Sequence, residues 1–211
     1  MQTTRFSTLL SFILIAVLFY VSPTEGCSCM PSHPQSHYCG ADYVALVRIM
    51  RKSEKLVSNK VVYKVQVKKS YKMTEEGQMT LRHGRIISSS ADSMCGVNLE
   101  LGRLYVIAGR GSQLNLCHYA KEYKKMSIIE RTGFTGAYKR GCSCSITPCF
   151  GNSCLSKVSR SNNECKWSPF GKCETDYSAC FPSINPKGMS EPVIKCRWRR
   201  TVPYDECRMN P

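Results

Sequence analysis

The sequence lacks the short motifs that mark common hydrolases. Neither G-x-S-x-G nor H-E-x-x-H occurs in its 211 residues, and the four histidines form no recognisable catalytic arrangement. Catalysis by cysteine would require a free thiol, and an even number of 14 cysteines argues against one. We therefore expect a protein that is not an enzyme.

Internal repeats, low-complexity segments and Asn-x-Ser/Thr acceptors for N-glycosylation are also missing. After Val21 no apolar run reaches the length of about 20 residues that a membrane-spanning helix needs. We therefore expect a soluble mature protein without ordinary N-glycans.

The features that the sequence does contain begin with a secretory signal. Arg5 precedes a short apolar run, Leu9 to Val21, and Thr24-Glu25-Gly26 places small residues at a cleavage position. We predict that residues 1–26 are a signal peptide cut after Gly26, and that the protein is secreted and extracellular.

All 14 cysteines come after the predicted signal. Zinc ligation by Cys27 and Cys29 with His33 and His37 is an alternative, but the paired cysteines of structural zinc sites usually have about two to four residues between them, and here only one residue separates the pair, C-x-C. An even cysteine count in a secreted chain favours disulfides. We predict seven bridges and no cofactor of the protein's own.

Cysteine density and charge divide the chain into two halves. Residues 27–142 hold six cysteines and 19 Lys and Arg against 8 Asp and Glu; residues 143–211 hold eight cysteines and 10 Lys and Arg against 6 Asp and Glu. The second half is too small and polar to rely on a hydrophobic core. The basic balance predicts acidic matrix polysaccharides, such as heparan sulfate, as partners rather than nucleic acid.

The first half contains segments typical of β-strands. Tyr43 to Met50 reads as a buried strand, whereas Val61 to Lys69 alternates, with Val61, Tyr63, Val65 and Val67 on one face. Further strands are predicted in the following segments: Arg85 to Ser88, Leu104 to Ala108 and Met126 to Ile129. Short helices are predicted in two places: Pro34 to Tyr38 and Tyr119 to Lys125. Several short strands with Gly-marked turns predict a small closed barrel, and the second half should consist of hairpins and loops.

Cleavage after Gly26 would create a new amino terminus with unusual chemistry. An α-amino group has a pKa near about 7.7–8.0, so near neutral pH part of it is neutral and can donate its lone pair. The amine and carbonyl oxygen of Cys27 could together chelate a metal. A catalytic zinc keeps one position for water or substrate, so a chelating terminus would displace the hydrolytic water.

The C-x-C spacing also provides rigidity. If Cys27 and Cys29 are each bridged to distant segments, a terminus that would otherwise fray is held extended, and ordering before binding favours affinity. Ser28 would then project away from both bridges, and Pro31 would stiffen the backbone next to them. By itself, a C-x-C pair at a mature terminus is more often just two ordinary disulfide halves.

Similarity over the rest of the chain favours the metal-chelating role of the terminus. The segment from Cys27 to Cys39 (CSCMPSHPQSHYC) closely resembles the amino terminus of the tissue inhibitors of metalloproteinases. The resemblance continues over residues 27–211 through these segments: Met94-Cys95-Gly96, Leu101-Gly102, Tyr105 to Gly109, Gly133-Phe134, Tyr138, Gly141-Cys142, Cys144 to Cys149, Cys154 and Cys165-Lys166-Trp167.

The resemblance implies a mainly β fold: an OB-like five-stranded β-barrel with short helices, the netrin-type module, over residues 27–142, and a small disulfide-rich domain of strands and loops over residues 143–211. It implies six bridges: Cys27–Cys95, Cys29–Cys117, Cys39–Cys142, Cys144–Cys196, Cys149–Cys154 and Cys165–Cys180. Cys173 and Cys207 exceed the usual twelve cysteines, and we pair them by elimination. A single residue, Ser143, stands where the family usually has two, which leaves the inter-domain angle open.

The resemblance also implies a mechanism in which the chelated zinc belongs to the protease. The expected inhibitory ridge comprises Cys27, Ser28, Cys29, Met30, Pro31, Ser93, Met94 and Cys95. Ser28 would enter the specificity pocket, Met30 would lie beyond the zinc, and the segment around Lys52 to Lys60 would contact the protease rim. The expected partners are matrix metalloproteinases, with disintegrin-type metalloproteinases a further possibility, bound one-to-one by a monomer that regulates matrix turnover.

The alternative is a netrin-type module without inhibitory activity that binds heparan sulfate. Arg197-Trp198-Arg199-Arg200 is its candidate glycan contact, although Trp198 could instead pack beside Cys196. Fold alone does not decide between the two functions. The discriminating feature is whether any residue precedes Cys27 in the mature protein.

Overall fold

The computed structural model describes residues 27–55, 59–90, 95–151, 154, 161–185 and 193–210. The predicted signal peptide lies outside the described residues. The fold is mainly β and is built on one five-stranded antiparallel sheet, followed by two two-stranded sheets. Its helices are short.

The strands are β1 (Tyr43–Lys55), β2 (Lys60–Met73), β3 (Arg85–Ser89), β4 (Leu104–Gly109), β5 (Tyr119–Glu122), β6 (Ser145–Pro148), β7 (Glu164–Trp167), β8 (Cys180–Asn185) and β9 (Val193–Trp198). The α-helices are α1 (Pro34–Gly40), α2 (Glu75–Leu81), α3 (Ile128–Thr132), α4 (Tyr138–Arg140), α5 (Cys173–Tyr177) and α6 (Val202–Met209). A 3₁₀ turn spans Tyr123–Lys125, and a π-type turn spans Gly133–Ala137.

The large sheet has the order β3-β2-β1-β4-β5 and curls on itself. Its two outer regions meet where β3 contacts the segment before β5: the Ile87 N–H donates to the Ser112 carbonyl, and the Leu114 N–H donates to the Ile87 carbonyl, each at 2.8 Å. This contact gives the sheet the character of an OB-like barrel, as predicted.

Residue patterns explain the two sides of the sheet. The apolar run of β1 is buried on both faces: Tyr43, Val47 and Ile49 point into the barrel, and Val44 packs against the helices outside. On β2, Val61, Tyr63 and Val65 alternate into the barrel as predicted, but Val67 is 39% exposed. The outer layer is aromatic and includes Tyr38, Tyr119, Phe134 and Tyr138.

Two local predictions were wrong, and two predicted strands were too short. Met126 to Ile129 is not a strand: the Ser127 hydroxyl accepts the Glu130 N–H and starts helix α3. Tyr119 to Lys125 begins as strand β5 and only then forms a 3₁₀ turn. Strand β1 continues to Lys55 and β2 begins at Lys60, so much of the segment predicted to contact the protease rim, Lys52 to Lys60, belongs to the two strands of a hairpin. Residues 56–58 lie outside the described residues.

The second half contains more regular structure than hairpins and loops. Strands β6 and β7 pair in parallel, and β8 and β9 form an antiparallel pair. Helix α6 is capped by Thr201, whose hydroxyl accepts the Tyr204 N–H. Glu174 on α5 accepts a hydrogen bond from the Tyr204 hydroxyl at 3.3 Å. Helix α6 is thereby joined to α5.

All fourteen cysteines are bridged. The pairs are those named from the sequence: Cys27–Cys95, Cys29–Cys117, Cys39–Cys142, Cys144–Cys196, Cys149–Cys154, Cys165–Cys180 and Cys173–Cys207. Cys144, Cys165, Cys180 and Cys196 form a compact cluster against which Trp198 packs. The Trp198 indole N–H donates to the Lys166 carbonyl at 2.8 Å, which favours the packing interpretation of this tryptophan.

Candidate functional site at the amino-terminal edge

The candidate site is the segment Cys27 to Pro31, which precedes α1 and has neither helix nor strand structure. Its exposure alternates: Cys27 and Cys29 are half-buried, whereas Ser28, Met30 and Pro31 are exposed. Met30 is an apolar side chain that is 73% exposed. The segment therefore presents side chains to solvent between two points of covalent attachment.

Those attachments connect the segment to the barrel. Cys27 is bridged to Cys95 and Cys29 to Cys117. The two partner segments are joined to each other, because the Leu116 N–H donates to the Cys95 carbonyl at 2.9 Å. The edge is thus held at two positions by one connected piece of the barrel.

The turn that carries Cys117 is fixed by its own polar side chains. The Cys117 N–H donates to Asn115 Oδ1 at 3.0 Å, and the Asn115 N–H donates to His118 Nδ1 at 3.2 Å. Next to Cys117, Leu116 is 55% exposed beside the edge. Leu116 was not among the predicted site residues, although its position next to Cys117 in the sequence was an available signal.

Behind the edge, His33 and Gln35 connect the chain to the second half. Both side chains are fully buried. Gln35 Nε2 donates to the carbonyls of Gly141 and Cys180, and its Oε1 accepts the Cys180 N–H, all at 2.9 Å. His33 Nε2 lies 3.1 Å from the Glu174 carbonyl oxygen. The residues next to the edge are therefore clamped by Glu174 and Cys180 of the other half and by Gly141 at the end of the first half.

His33 also caps α1, because its Nδ1 accepts the Gln35 N–H at 3.1 Å. This contact fixes the tautomer with the proton on Nε2, which donates to Glu174. Trp198, Trp167 and Tyr138 surround the ring, with centroids 5.1, 5.6 and 6.1 Å away. Both ring nitrogens are thus occupied, and the alternative zinc site loses one of its proposed ligands.

Burial lowers the pKa of His33 from 6.5 to about 4, and the nearby charge of His37 adds to this effect. Burial also lowers the pKa of His37, with His118 contributing, and burial lowers that of His118. Neutral histidines therefore underlie the edge at neutral pH.

Acid is expected to destabilise this region. Because the folded-state pKa of His33 is below its unfolded value, the unfolded chain takes up the proton first, and stability falls as the pH drops from 6.5 to about 4. The loss from His33 should be on the order of 3 kcal/mol. Guanidinium unfolding at pH 7.5, 5.5 and 4.5 measures it.

The control is His33→Asn, whose side chain can still cap a helix but does not titrate in this range. The variant should be less stable at pH 7.5 and show a shallower pH dependence, with the remaining slope due to the other titrating groups, His37, His118 and carboxylates among them. An unchanged slope would contradict the assignment to His33.

The structure brings together most, but not all, of the predicted ridge. Cys27, Ser28, Cys29, Met30, Pro31 and Cys95 lie at one edge. Ser93 and Met94 lie outside the described residues. The sulfurs of Cys27, Cys29, Cys95 and Cys117 are all within 4.8 Å of one another, but each is in a disulfide and so is not available as a thiolate ligand.

Among the residues that the structure describes, there is no helix with the length and apolar character needed to cross a membrane.

Comparison with known proteins gives consistent matches over most of the chain. The sequence model of the family described as "Tissue inhibitor of metalloproteinase" matches residues 25–198. A Drosophila melanogaster protein named "Tissue inhibitor of metalloproteinase" is 48% identical over 204 residues, 96% of each chain. "Metalloproteinase inhibitor 3" of Xenopus laevis is 30% identical, covering 89% of this chain and 88% of its own. "Metalloproteinase inhibitor 2" of Homo sapiens is 30% identical over 75% of this chain and 74% of its own.

Proposed function

Because the chain belongs to the tissue inhibitor of metalloproteinase family, we propose that it is a secreted inhibitor of zinc metalloendopeptidases that acts through its mature amino terminus and regulates extracellular matrix turnover. Its relatives are named as inhibitors, and an inhibitor needs no cofactor of its own. The zinc in this mechanism is the partner's.

The chemistry of the proposal is chelation. The α-amino nitrogen and carbonyl oxygen of Cys27 bind the protease zinc, which can accept both because catalytic zinc has an open position and can expand to five ligands. The displaced ligand is the water that would hydrolyse the substrate. Ser28 enters the specificity pocket, and Met30 lies beyond the metal.

One observation carries the proposal. Two disulfides two residues apart hold the backbone of Cys27 and Cys29 while Ser28, Met30 and Pro31 remain exposed. The ordering entropy of the edge is therefore lost on folding rather than on binding, which favours tight binding by a short segment. Ser93 and Met94, which directly precede Cys95 in the sequence, complete the set of residues proposed for the ridge.

We further propose a division of roles. Residues 27–142 form the inhibitory domain and residues 143–211 a second, disulfide-rich domain. The monomer binds matrix metalloproteinases one-to-one, disintegrin-type metalloproteinases are further candidates, and the basic surface retains the protein on heparan sulfate. The alternative, a netrin-type module without inhibitory activity, would bind heparan sulfate but would not inhibit a protease.

The direct test uses the secreted wild-type protein. Mass spectrometry should find Cys27 at the amino terminus, and titration should abolish the activity of a matrix metalloproteinase catalytic domain at one equivalent. A small hydroxamate that chelates the active-site zinc should compete with binding. Inhibition that is unaffected by the hydroxamate would contradict a zinc-directed mechanism.

A further inference from the structure

The two disulfides that hold the edge are in contact with each other. Cys27 Sγ lies 3.9 Å from Cys29 Sγ, although these atoms belong to different bridges. Neither sulfur carries a hydrogen, so the approach is a van der Waals contact rather than a hydrogen bond. With Cys95 and Cys117, all four sulfurs lie within 4.8 Å of one another.

Exposure provides an entry point. Cys117 is exposed, while Cys27, Cys29 and Cys95 are half-buried. A thiolate from solvent attacks the sulfur that it can reach, and the other sulfur leaves as a thiolate. Attack on Cys117 would therefore release Cys29 beside an intact second disulfide.

We propose that this group of four sulfurs is a thiol-catalysed disulfide-isomerisation site that disconnects the amino terminus from the barrel. An external thiolate, such as that of glutathione or a protein dithiol, bonds to Cys117 Sγ, and the Cys29–Cys117 bond breaks. The Cys29 thiolate then attacks Cys27 Sγ, forming Cys27–Cys29 and expelling the Cys95 thiolate.

The last step restores the catalyst. The Cys95 thiolate attacks Cys117 Sγ, forming Cys95–Cys117 and releasing the external thiolate. Two disulfides are broken and two are formed, so there is no net oxidation or reduction. The product has an amino-terminal segment bridged only to itself and a barrel closed on itself. The resulting loss of inhibition rests on the proposed function, whereas the exchange does not.

The rest of the molecule provides two comparisons. The sulfurs of Cys144, Cys180 and Cys196 also lie within 4.8 Å of one another, but all three residues are buried, so an external thiol has no access. Cys142 is exposed, but in the described part of the chain the Cys39–Cys142 bridge joins no such group. Only the amino-terminal group of the described residues combines proximity with exposure.

Peptide mapping tests the exchange on the native, signal-cleaved protein. Before exposure to thiol, the non-reducing tryptic digest should show peptide 27–48 linked to 86–103 through Cys95, to 111–121 through Cys117 and to 141–157 through Cys39–Cys142. The same digest is then made after treatment with reduced glutathione and blocking with N-ethylmaleimide. Isomerisation should release 86–103 joined to 111–121, without N-ethylmaleimide on either. The proposal would be overturned if N-ethylmaleimide appeared on Cys29 and Cys117 while peptide 27–48 stayed joined to 86–103. It would also be overturned if only the Cys39–Cys142 bridge opened.

A single variant isolates the central step. Cys117→Ser leaves Cys29 without its partner, so without added thiol the label should appear on Cys95; a label on Cys29 would overturn the proposal. If this variant does not fold, the peptide map of the wild type still decides.

The inhibitory capacity of the treated wild type should fall in proportion to the isomerised fraction. If the map is as expected but untreated protein never inhibits a metalloproteinase, the proposed function fails and the exchange stands.

Discussion

A single alanine inserted between Gly26 and Cys27 is expected to weaken inhibition of a matrix metalloproteinase by at least about 1,000-fold, a loss of about 4 kcal/mol in binding free energy. The insertion converts the α-amino nitrogen of Cys27 into an amide. An amide nitrogen has no lone pair available for zinc, so the chelate cannot form. The added residue would also occupy the space where the metal should lie.

The fold should not change, because the two disulfides of the edge and the barrel behind it do not involve the new residue. The inhibition constant is measured by titration after mass spectrometry has confirmed that secreted protein begins with the inserted alanine. Ser28→Ala is the matched control: it changes an exposed side chain in the same segment but keeps the amine, and it should retain inhibition to within about tenfold. Equal potency of the extended and wild-type proteins would contradict chelation.

Much of the barrel could be predicted because its strands follow simple local patterns. The apolar run that begins at Tyr43 is buried as far as Ile49 except at Arg48 and partly at Leu46, whereas Met50 at its predicted end is 54% exposed; the alternation from Val61 to Val65 corresponds to observed burial. Helix α3 was missed because its start depends on one hydroxyl, that of Ser127. It depends also on a buried Glu130 that accepts hydrogen bonds from the Tyr119 hydroxyl at 2.6 Å and from Lys121 at 2.8 Å. Those partners are neighbours only after folding.

The amino-terminal edge could be predicted from the sequence, whereas the contacts of His33 and Gln35 behind it could not. The C-x-C spacing of Cys27 and Cys29 is a local signal, and it correctly indicated a segment held by two bridges. The roles of His33 and Gln35 had no such signal, because their partners lie 106 to 145 residues away. A polar residue beside a proline such as Pro34 is usually a solvated turn residue. Here Trp167 and Trp198 of the second half pack around the His33 ring and help to bury it. From the sequence, His33 was considered as a ligand of the alternative zinc site, whereas in the structure it joins the halves through the Glu174 carbonyl.

Gln35→Leu is expected to have the largest effect on stability, lowering the free energy of unfolding by about 4 kcal/mol. The glutamine side chain makes three hydrogen bonds to the backbone of Gly141 and Cys180 in a site with 1% exposure. Leucine has a similar size but neither donor nor acceptor, so the backbone groups lose these partners without access to water. Such a loss costs more than the apolar burial returns.

Trp167 and Trp198 pack around the adjacent His33, so their fluorescence during guanidinium unfolding reports on this clamp. Gln66→Leu is the matched control: it makes the same exchange at an exposed position of β2 and should change stability by less than about 0.5 kcal/mol. Folded Gln35→Leu protein should inhibit with an unchanged constant, because the edge is held by its own two disulfides. Unfolding at the wild-type guanidinium concentration would mean that Gln35 does not join the two halves, and a weakened inhibition constant would mean that the clamp also positions the edge.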